Sequence, residues 1–322
     1  MARRSPTLEG FKAIFRLPSL GLAEIAWRWS FGLAITALLG FSFREYLSTL
    51  PVTAGEMFLL RTRQPGLMFQ ALARIFQGSA PRVVSATIVL TLTLTLAWIV
   101  VASLGRAAAL KALFEYFHES KPRSWRFASL MGLNFFRAVA LFAALISYVG
   151  AMLLAGSASS ASDPSPGLAL LIFWMLALFI SLAWSTLNWF LSLAAIFVVG
   201  DRKTTFEALG AAVKLCRTHR GPIAAVATWF GIAHAVAFMG ATSAAAFPLG
   251  LAEVLPAAMV LGGLLVVALL YFAVADFLYV GRLAAFVFVS ELPEVQPAIL
   301  NHQSLEDDIL SDVPGLPQTA GA

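Results

Sequence analysis

Long runs without a charged side chain restrict the fold of this sequence more than any other feature. Residues 83–105, 138–162, 164–200, 221–252 and 254–275 contain no Asp, Glu, Lys or Arg. Each run reaches the roughly 18–20 residues that a helix needs to cross a hydrocarbon core of about 30 Å. Over the whole chain 60% of residues are hydrophobic and only 12% are charged, against about 25% charged residues in soluble domains. The sequence therefore predicts an integral membrane protein.

A threonine–leucine alternation in the first run looks at first like a β-strand. Thr91, Thr93 and Thr95 alternate with leucines. In lipid every backbone polar group must be satisfied within the protein, and a single helix does this by itself. We therefore predict an all-α fold, a polytopic transmembrane helical bundle of about six spans with interfacial amphipathic helices.

The first span is the least regular, because Glu24 and Arg28 interrupt its beginning. The uncharged stretch Trp29–Phe43 covers about 22 Å as a helix. It crosses the bilayer if Arg28 extends to the headgroups and the neighbouring tryptophans lie in the interfacial belt. We interpret this segment as an uncleaved anchor. The predicted spans of a transmembrane domain at 1–290 are about 25–45, 83–105, 128–155, 167–199, 222–248 and 256–281.

The linkers between the spans predict the orientation. Linkers 106–126 and 202–220 carry five Lys or Arg each, whereas 156–166 and 249–255 carry none. The positive-inside rule then predicts cytoplasmic basic linkers and cytoplasmic N- and C-termini. The loop at 44–82 disagrees, since it holds five arginines but falls outside by this count.

Amphipathic stretches occur between the apolar runs. The outer loop contains one at about 67–76, which predicts a short interfacial helix. Three others precede the odd-numbered spans, and their spacing suggests a threefold plan of interfacial helix followed by helical hairpin. Their apolar residues are Phe11, Ile14, Phe15 and Leu17 in the first, Leu110, Leu113, Phe114 and Phe117 in the second, and Phe206, Leu209, Val213 and Leu215 in the third.

The remaining composition excludes several classes of site and partner. Residues 291–322 are acidic and contain prolines, which predicts a disordered tail. Cys216 is the single cysteine, so the chain has neither an intrachain disulfide nor a CxxC pair. The net charge of +5 comes from clusters beside the bilayer, which favour topology and anionic lipid over nucleic acid.

One segment resembles a known family. An apolar span ends in Asp201, the amphipathic Phe206-Glu207-Ala208-Leu209 follows, and Lys214-Leu215 and Arg217 precede the next span. The entry Phe15-Arg16-Leu17-Pro18-Ser19-Leu20 completes the pattern. The chain resembles bacterial six-helix membrane proteins typified by the membrane domain of some glycerophosphoryl diester phosphodiesterases. Ala212 departs from the Ser that is frequent there. The resemblance implies a bacterial cytoplasmic (inner) membrane location and no hydrolase activity, because the soluble domain is absent from this sequence.

Polar residues inside the predicted spans are candidate functional residues, because their burial in hydrocarbon is costly unless they face protein or water. Asp276 can pair with Arg137 or Arg28 as a structural ion pair, or as part of a relay. His234 lies between Gly231 and Ala235, whose small side chains permit close helix approach. His234 and Asn188 are interpreted as interhelical hydrogen-bonding residues, with proton transport as the alternative.

Three functional hypotheses follow. The sequence contains no GxSxG, HExxH, Walker-type or clustered metal-ligand motif, so we expect no cofactor. The leading hypothesis is a non-enzymatic envelope scaffold or lipid-contacting accessory protein that binds the bilayer and other membrane proteins. The alternatives are a small transporter or channel that uses the buried polar residues and, less favoured, an intramembrane enzyme. The candidate contacts to anionic lipid on the cytoplasmic face are Arg123, Arg126, Arg217 and Arg220.

Overall fold

Prolines mark the beginnings of several helices, where a missing N–H costs no hydrogen bond. A computed structural model describes residues 5–50, 52–62, 64–117, 125–159 and 165–292. Within these residues the chain forms ten α-helices and no strand. Proline is the first residue of four helices: α1, α2, α4 and α7. The helices are α1 (Pro6–Arg16), α2 (Pro18–Ser48), α3 (Ala54–Arg61), α4 (Pro65–Phe76), α5 (Ala80–Phe117), α6 (Phe127–Ser157), α7 (Pro166–Asp201), α8 (Thr205–Thr218), α9 (Arg220–Gly250) and α10 (Ala257–Ser290).

Six of these helices, α2, α5, α6, α7, α9 and α10, are long and apolar enough to cross a membrane. The predicted all-α bundle with six candidate spans is therefore confirmed, and the protein is an integral membrane protein. The Thr91–Thr95 segment is helical, as its lipid surroundings require. Helix α6 packs on α7, and α9 packs on α10. The short helix α1 lies against α10 and α9, and α8 lies against α7, α6 and α9.

One predicted interfacial helix is instead the end of a spanning helix. The stretch with Leu110, Leu113 and Phe114 continues α5 without a break, and these three side chains are buried. No glycine or proline lies between Gly105 and the end of α5 at Phe117, so the helix continues and its apolar face packs into the core. Separate helices do form at the other two amphipathic stretches, as α1 and α8, and the loop predicted at 44–82 contains α3 and α4.

The packed core lies at one end of the bundle. We call this the basic end: the end where α2, α6 and α9 begin and α5, α7 and α10 finish, together with α1 and α8. Its central side chains are fully enclosed, with Leu193, Phe286 and Ala284 at 0% exposure. At the opposite end large apolar side chains are exposed, including Phe179 and Phe247. Exposed apolar surface on a spanning helix faces lipid.

Glycines permit the closest helix contacts of the basic end. A Cβ on Gly10 would lie 2.6 Å from the carbonyl oxygen of Gly281, so α1 and α10 approach backbone to backbone. A Cβ on Gly281 would overlap the Ile14 side chain. The rings of Phe11 and Phe230 stack beside this crossing with centroids 4.5 Å apart. The N-terminal helix is thus an integral part of the core.

Candidate functional site

Four arginines from four different helices line one cavity near the basic end. Arg28 lies on α2, Arg106 on α5, Arg137 on α6 and Arg282 on α10, and the cavity has a volume of about 500 Å³. Arg137 lies ten residues after Phe127, which places it about 15 Å along α6. We call this cavity the arginine chamber. Its wall also contains the aromatic residues Trp27, Phe31, Trp98, Trp184 and Tyr279 and the polar residues Asn188 and Ser192.

Arg28 has two carboxylate partners among the described residues. Its Nη2 lies 2.6 Å from Oε1 of Glu24, one turn earlier on α2. Its Nη1 lies 2.7 Å from Oδ1 of Asp276 on α10. Glu24 also accepts a hydrogen bond of 2.7 Å from the indole of Trp27. Arg28 therefore engages two carboxylates beside the chamber and ties α2 to α10.

Arg137 is held by a chain of uncharged polar groups. Its Nη2 donates to Oγ of Ser192 on α7 over 2.8 Å, and its Nη1 donates to Oδ1 of Asn134 over 3.3 Å. Asn134 in turn donates to Oγ of Ser103 on α5 over 2.8 Å. These bonds join α5, α6 and α7 and fix the position of the guanidinium group. These hydrogen bonds use only some of the donors of the guanidinium group, because Nε of Arg137 is buried without a hydrogen-bond partner among the described residues.

Within the described residues, Arg106 is held by stacking on an aromatic ring, and its side chain forms no hydrogen bond there. Its guanidinium carbon lies 4.7 Å from the ring centroid of Tyr279, and that of Arg28 lies 4.5 Å from the same centroid. Cations at these distances interact favourably with an aromatic ring. Arg106 is 8% exposed, and its Nη1 is buried without a hydrogen-bond partner among the described residues. The hydroxyl of Tyr279 is likewise buried and unpartnered within that part of the chain.

The charges of the chamber do not balance. Four arginines and the two carboxylates Glu24 and Asp276 leave a formal charge of +2. Arg106 lies within electrostatic reach of Arg28, Arg137 and Arg282. Arginine stays protonated in proteins, so these like charges repel in surroundings of low dielectric constant. In the described residues the chamber thus combines surplus positive charge with unused hydrogen-bond donors.

Four of the five buried polar residues predicted from the sequence lie in or beside the chamber. Arg28, Arg137 and Asn188 line it, and Asp276 pairs with Arg28 at its edge. The side chain of Asn188 forms no hydrogen bond with the described residues. The backbone carbonyl oxygen of Asn188 accepts a hydrogen bond from the hydroxyl of Ser192.

His234 lies away from this site. Its Nε2 is 3.1 Å from the hydroxyl of Tyr271, which joins α9 to α10 on a lipid-exposed face. The neighbouring Gly231 has open space around its Cβ direction, so no helix of the described chain packs against it. The structure therefore separates His234 from the other four predicted residues.

Three of the four predicted lipid-contacting arginines lie in the described residues, on the surface of the basic end. Arg126 precedes α6, Arg217 lies in the last turn of α8, and Arg220 begins α9, all three with exposed side chains. Arg123 lies outside the described residues, as do His118, Glu119 and residues 293–322 of the tail. These arginines can meet headgroups, and none of the three lines the chamber.

The sequence interpretation missed Arg106 and Arg282. Arg106 directly follows a charge-free run and was assigned to the basic linker, and Arg282 lies one residue beyond the predicted end of its span. Helical spacing was the available signal: Ser103 precedes Arg106 by three residues, and Tyr279 precedes Arg282 by three. Polar and aromatic residues at this spacing share a face with the arginine that follows.

The chamber is equipped to bind and orient an anion. Guanidinium groups bind phosphate and carboxylate oxygens with charge-assisted hydrogen bonds. The described residues contain no group of three His, Cys, Asp or Glu that could hold a metal ion. The nearest carboxylates are both paired with Arg28, and the Ser192 hydroxyl bonds a backbone carbonyl.

Comparisons of the chain with protein-family models, curated proteins and solved structures give no match. The resemblance to the membrane domain of glycerophosphoryl diester phosphodiesterases therefore stays a prediction. The functional argument rests on the geometry of the arginine chamber and of the basic end around it.

Proposed function

We propose that this integral membrane protein is a non-enzymatic accessory protein that binds anionic groups at its basic end, with the arginine chamber as its principal site. One observation carries the proposal: Arg106, Arg137 and Tyr279 each present a buried donor without a partner among the described residues. An unsatisfied buried donor costs about 1–3 kcal/mol, and more when the group is charged. These three atoms are closed off from the open cavity, and an oxyanion there supplies acceptors to the other atoms of the same guanidinium groups, which line it.

The surplus charge favours an anion over water as the occupant. Water in the cavity satisfies donors but leaves two positive charges unbalanced in the interior of the bundle. Charged side chains near the centre of a spanning helix cost about 2.5–3.5 kcal/mol each. A phosphate or carboxylate group offsets this cost and also bonds the guanidinium groups.

The exposed arginines extend the same preference to the membrane surface. Arg126, Arg217 and Arg220 surround the basic end, and each basic residue near an anionic leaflet contributes about 1 kcal/mol to lipid attraction. With the positive-inside rule, this surface is the cytoplasmic one and both termini are cytoplasmic. The protein would thus collect anionic lipid around its basic end and assist other components of the membrane there, in a bacterial inner membrane as the family resemblance implies.

Anion transport is the second candidate function. Its supporting observation is the convergence of Arg28, Arg137 and Asn188 from three spanning helices on one cavity, since polar residues that meet inside a bundle often form transport sites. A transporter must take up its ion on one side of the membrane and release it on the other. Uptake of labelled phosphate into proteoliposomes supports transport, and binding without uptake supports the accessory function.

The test of the proposed function is the melting temperature of the purified protein in detergent as phosphate replaces chloride at constant ionic strength. We expect phosphate to raise the melting temperature, because a ligand of the folded state stabilises it by mass action. Arg106→Met should lose this response. The variant without phosphate should be as stable as the wild type or more stable, because an apolar side chain of similar size replaces an unbalanced buried charge.

Arg44→Met is the matched control, since Arg44 is exposed near the opposite end of α2. It should respond to phosphate as the wild type does. A purely structural role for Arg106 predicts instead that Arg106→Met is less stable at every phosphate concentration and keeps the phosphate-dependent rise. That result, or a wild type that does not distinguish phosphate from chloride, would overturn the proposed function.

A further inference from the structure

An apolar groove adjoins the arginine chamber. Ile35 of α2, Trp98 of α5 and Leu141 of α6 line both cavities, so the two share a wall. The groove has a volume of about 320 Å³, and no charged residue lines it. Its other lining residues are Thr91, Leu94, Thr95, Ala138 and Phe142.

The groove runs from the chamber toward the opposite end of the bundle. On α5 its farthest residue, Thr91, precedes Arg106 by fifteen residues, which is about 22 Å of helix. One leaflet of a bilayer contributes about half of the roughly 30 Å hydrocarbon core. A lipid tail whose headgroup lies at the arginines therefore has room to extend along this wall.

The junction between chamber and groove is open to the bilayer. Gly32 is exposed and has no side chain to cover the chamber, and nothing lies within 4 Å of its Cβ direction. Leu141, on the shared wall, is 43% exposed, and Trp184 at the chamber is 39% exposed. Tryptophan is suited to a boundary between polar and apolar groups. An amphiphile can therefore enter sideways from the membrane without leaving the hydrocarbon.

From this arrangement we infer that the occupant of the chamber is an anionic lipid with its phosphate group at Arg106 and Arg137 and one acyl chain in the groove. The inference rests on the proposed function and specifies its ligand. Charge selects the headgroup, because the chamber is positive, and the groove selects an attached hydrocarbon chain. A free anion would use the chamber alone and leave the groove without a role.

The two threonines of the groove supply a matched pair of variants. Thr91 and Thr95 lie one turn apart and line the groove, whereas Thr93 between them is exposed on another face of α5. Thr95→Trp fills the groove, and Thr93→Trp adds the same side chain to the lipid-facing surface. A second pair is Ile35→Trp, which lines both cavities, and Leu33→Trp, where Leu33 is 71% exposed.

The experiment uses the full chain in nanodiscs of phosphatidylcholine with a small fraction of phosphatidylglycerol, followed by native mass spectrometry of the extracted protein. We expect the wild type to retain one phosphatidylglycerol per chain. Thr95→Trp and Ile35→Trp should weaken retention by at least about tenfold, equivalent to ~1.4 kcal/mol. Thr93→Trp and Leu33→Trp should retain the lipid. Thr95→Trp, Thr93→Trp and Leu33→Trp, whose positions do not line the chamber, should keep the phosphate-dependent rise in melting temperature, which also shows that they are folded.

Three outcomes would overturn the inference. The first is equal retention by the groove variants and their controls. The second is retention of phosphatidylcholine as strongly as phosphatidylglycerol. The third is a phosphate response without any lipid retention, which leaves the proposed function intact and identifies a free anion as the ligand. Loss of the phosphate response in the wild type contradicts the proposed function itself, so the two failures are distinguishable.

Discussion

Helix α7 shows in one element how the two ends of the bundle differ. Near its beginning Leu178 and Phe179 are 66% and 72% exposed, whereas Leu193 and Ile196 near its end are 0% and 1% exposed. Both stretches are apolar, so hydrophobicity does not decide which one packs against protein. Lipid tails are as apolar as leucine, and helices in membranes associate through close packing and polar contacts. The basic end has these features in Ser103, the Gly10–Gly281 crossing and the arginine network.

Removal of a large side chain from the packed end should give the largest effect. Phe286 on α10 is 0% exposed, whereas Phe272 on the same helix is 55% exposed. Phe286→Ala removes a fully buried ring, and the cavity together with the lost burial of the ring costs about 3–5 kcal/mol. Phe272→Ala exchanges one lipid-facing apolar group for another and should be nearly neutral. Thermal unfolding in detergent measures both, and equal losses would contradict the contrast between the ends.

Substitution of a glycine by a larger residue should give the second largest difference in stability between the two ends. Gly281→Val forces a side chain into Ile14 and the ring of Phe230, and overpacking of this kind costs about 2 kcal/mol. Gly262→Val, on the same helix near the opposite end, meets nothing within 4 Å. We expect a lower melting temperature for Gly281→Val and earlier proteolysis around α1, because that helix is displaced. A tolerated Gly281→Val would show that α1 is not firmly packed.

The ion pair between α2 and α10 should give a smaller loss. Asp276→Asn leaves Arg28 with Glu24 as its carboxylate partner. Breaking a fully buried pair costs about 3–5 kcal/mol, but Arg28 is 29% exposed, so we expect about 1.5 kcal/mol.

The control for this pair is an exposed one at the same end. Asp201→Asn removes the partner of Lys203, at 3.0 Å and with side chains 50% and 36% exposed. Surface pairs contribute about 0–1 kcal/mol, so its melting temperature should stay close to that of the wild type. Similar losses for both variants would remove the distinction between the chamber pair and a surface pair.

Two capping boxes of the same type, one at each end of the bundle, should give the smallest difference in stability between the two ends. Thr204 and Glu207 cap α8, whose Ala208 and Ala212 are buried, whereas Thr53 and Glu56 cap α3, which has no buried residue. Thr204→Ala should lower global stability by about 1 kcal/mol. Thr53→Ala should change only hydrogen exchange within α3, because that helix contributes nothing to the core.

The α8 cap also predicts a pH dependence. The backbone N–H of Thr204 donates to the Glu207 carboxylate over 2.9 Å and, with the Thr204 side chain beside it, holds the pKa of Glu207 below the ordinary value. Because the pKa of Glu207 is lower in the folded state, its ionised carboxylate stabilises the fold fully at pH values above the ordinary pKa of about 4.3. This contribution is lost as the pH falls through the folded-state pKa. Glu207→Gln should therefore flatten the acid limb of the stability profile. An unchanged acid limb would show that other carboxylates determine it.

The sequence predicted the spans better than their packing, for a physical reason. Charge-free length is a local property, so the runs around residues 83–105 and 164–200 reveal the helices directly. Arg28 and Asp276 were recognisable because they interrupt apolar segments. Arg106 and Arg282 stand at the ends of such segments, where an arginine usually marks the membrane surface. Their role depends on which helices meet, and this information is not local.

The groove was beyond prediction for the same reason. Thr91 and Thr95 were visible as an alternation with leucine, but only the packing of α5 against α6 and α2 makes one threonine face a groove and its neighbour face lipid. At the end of α5 the sequence pattern was recognised, but the helix boundary predicted from it was wrong. Its amphipathic pattern was correctly recognised, but the pattern alone does not show whether a stretch continues the preceding helix or begins a new one.

The two carboxylate partners of Arg28, Glu24 and Asp276, become available at different times during synthesis of the chain. Glu24 lies one turn away on the same helix, whereas Asp276 is 248 residues further along the chain. An isolated arginine hinders membrane insertion of a helix, and a carboxylate at this spacing already balances its charge. Glu24 can therefore accompany Arg28 into the bilayer, and Asp276 joins after the last helix is inserted. Replacement of Glu24 should impair biogenesis of the protein more than its final stability.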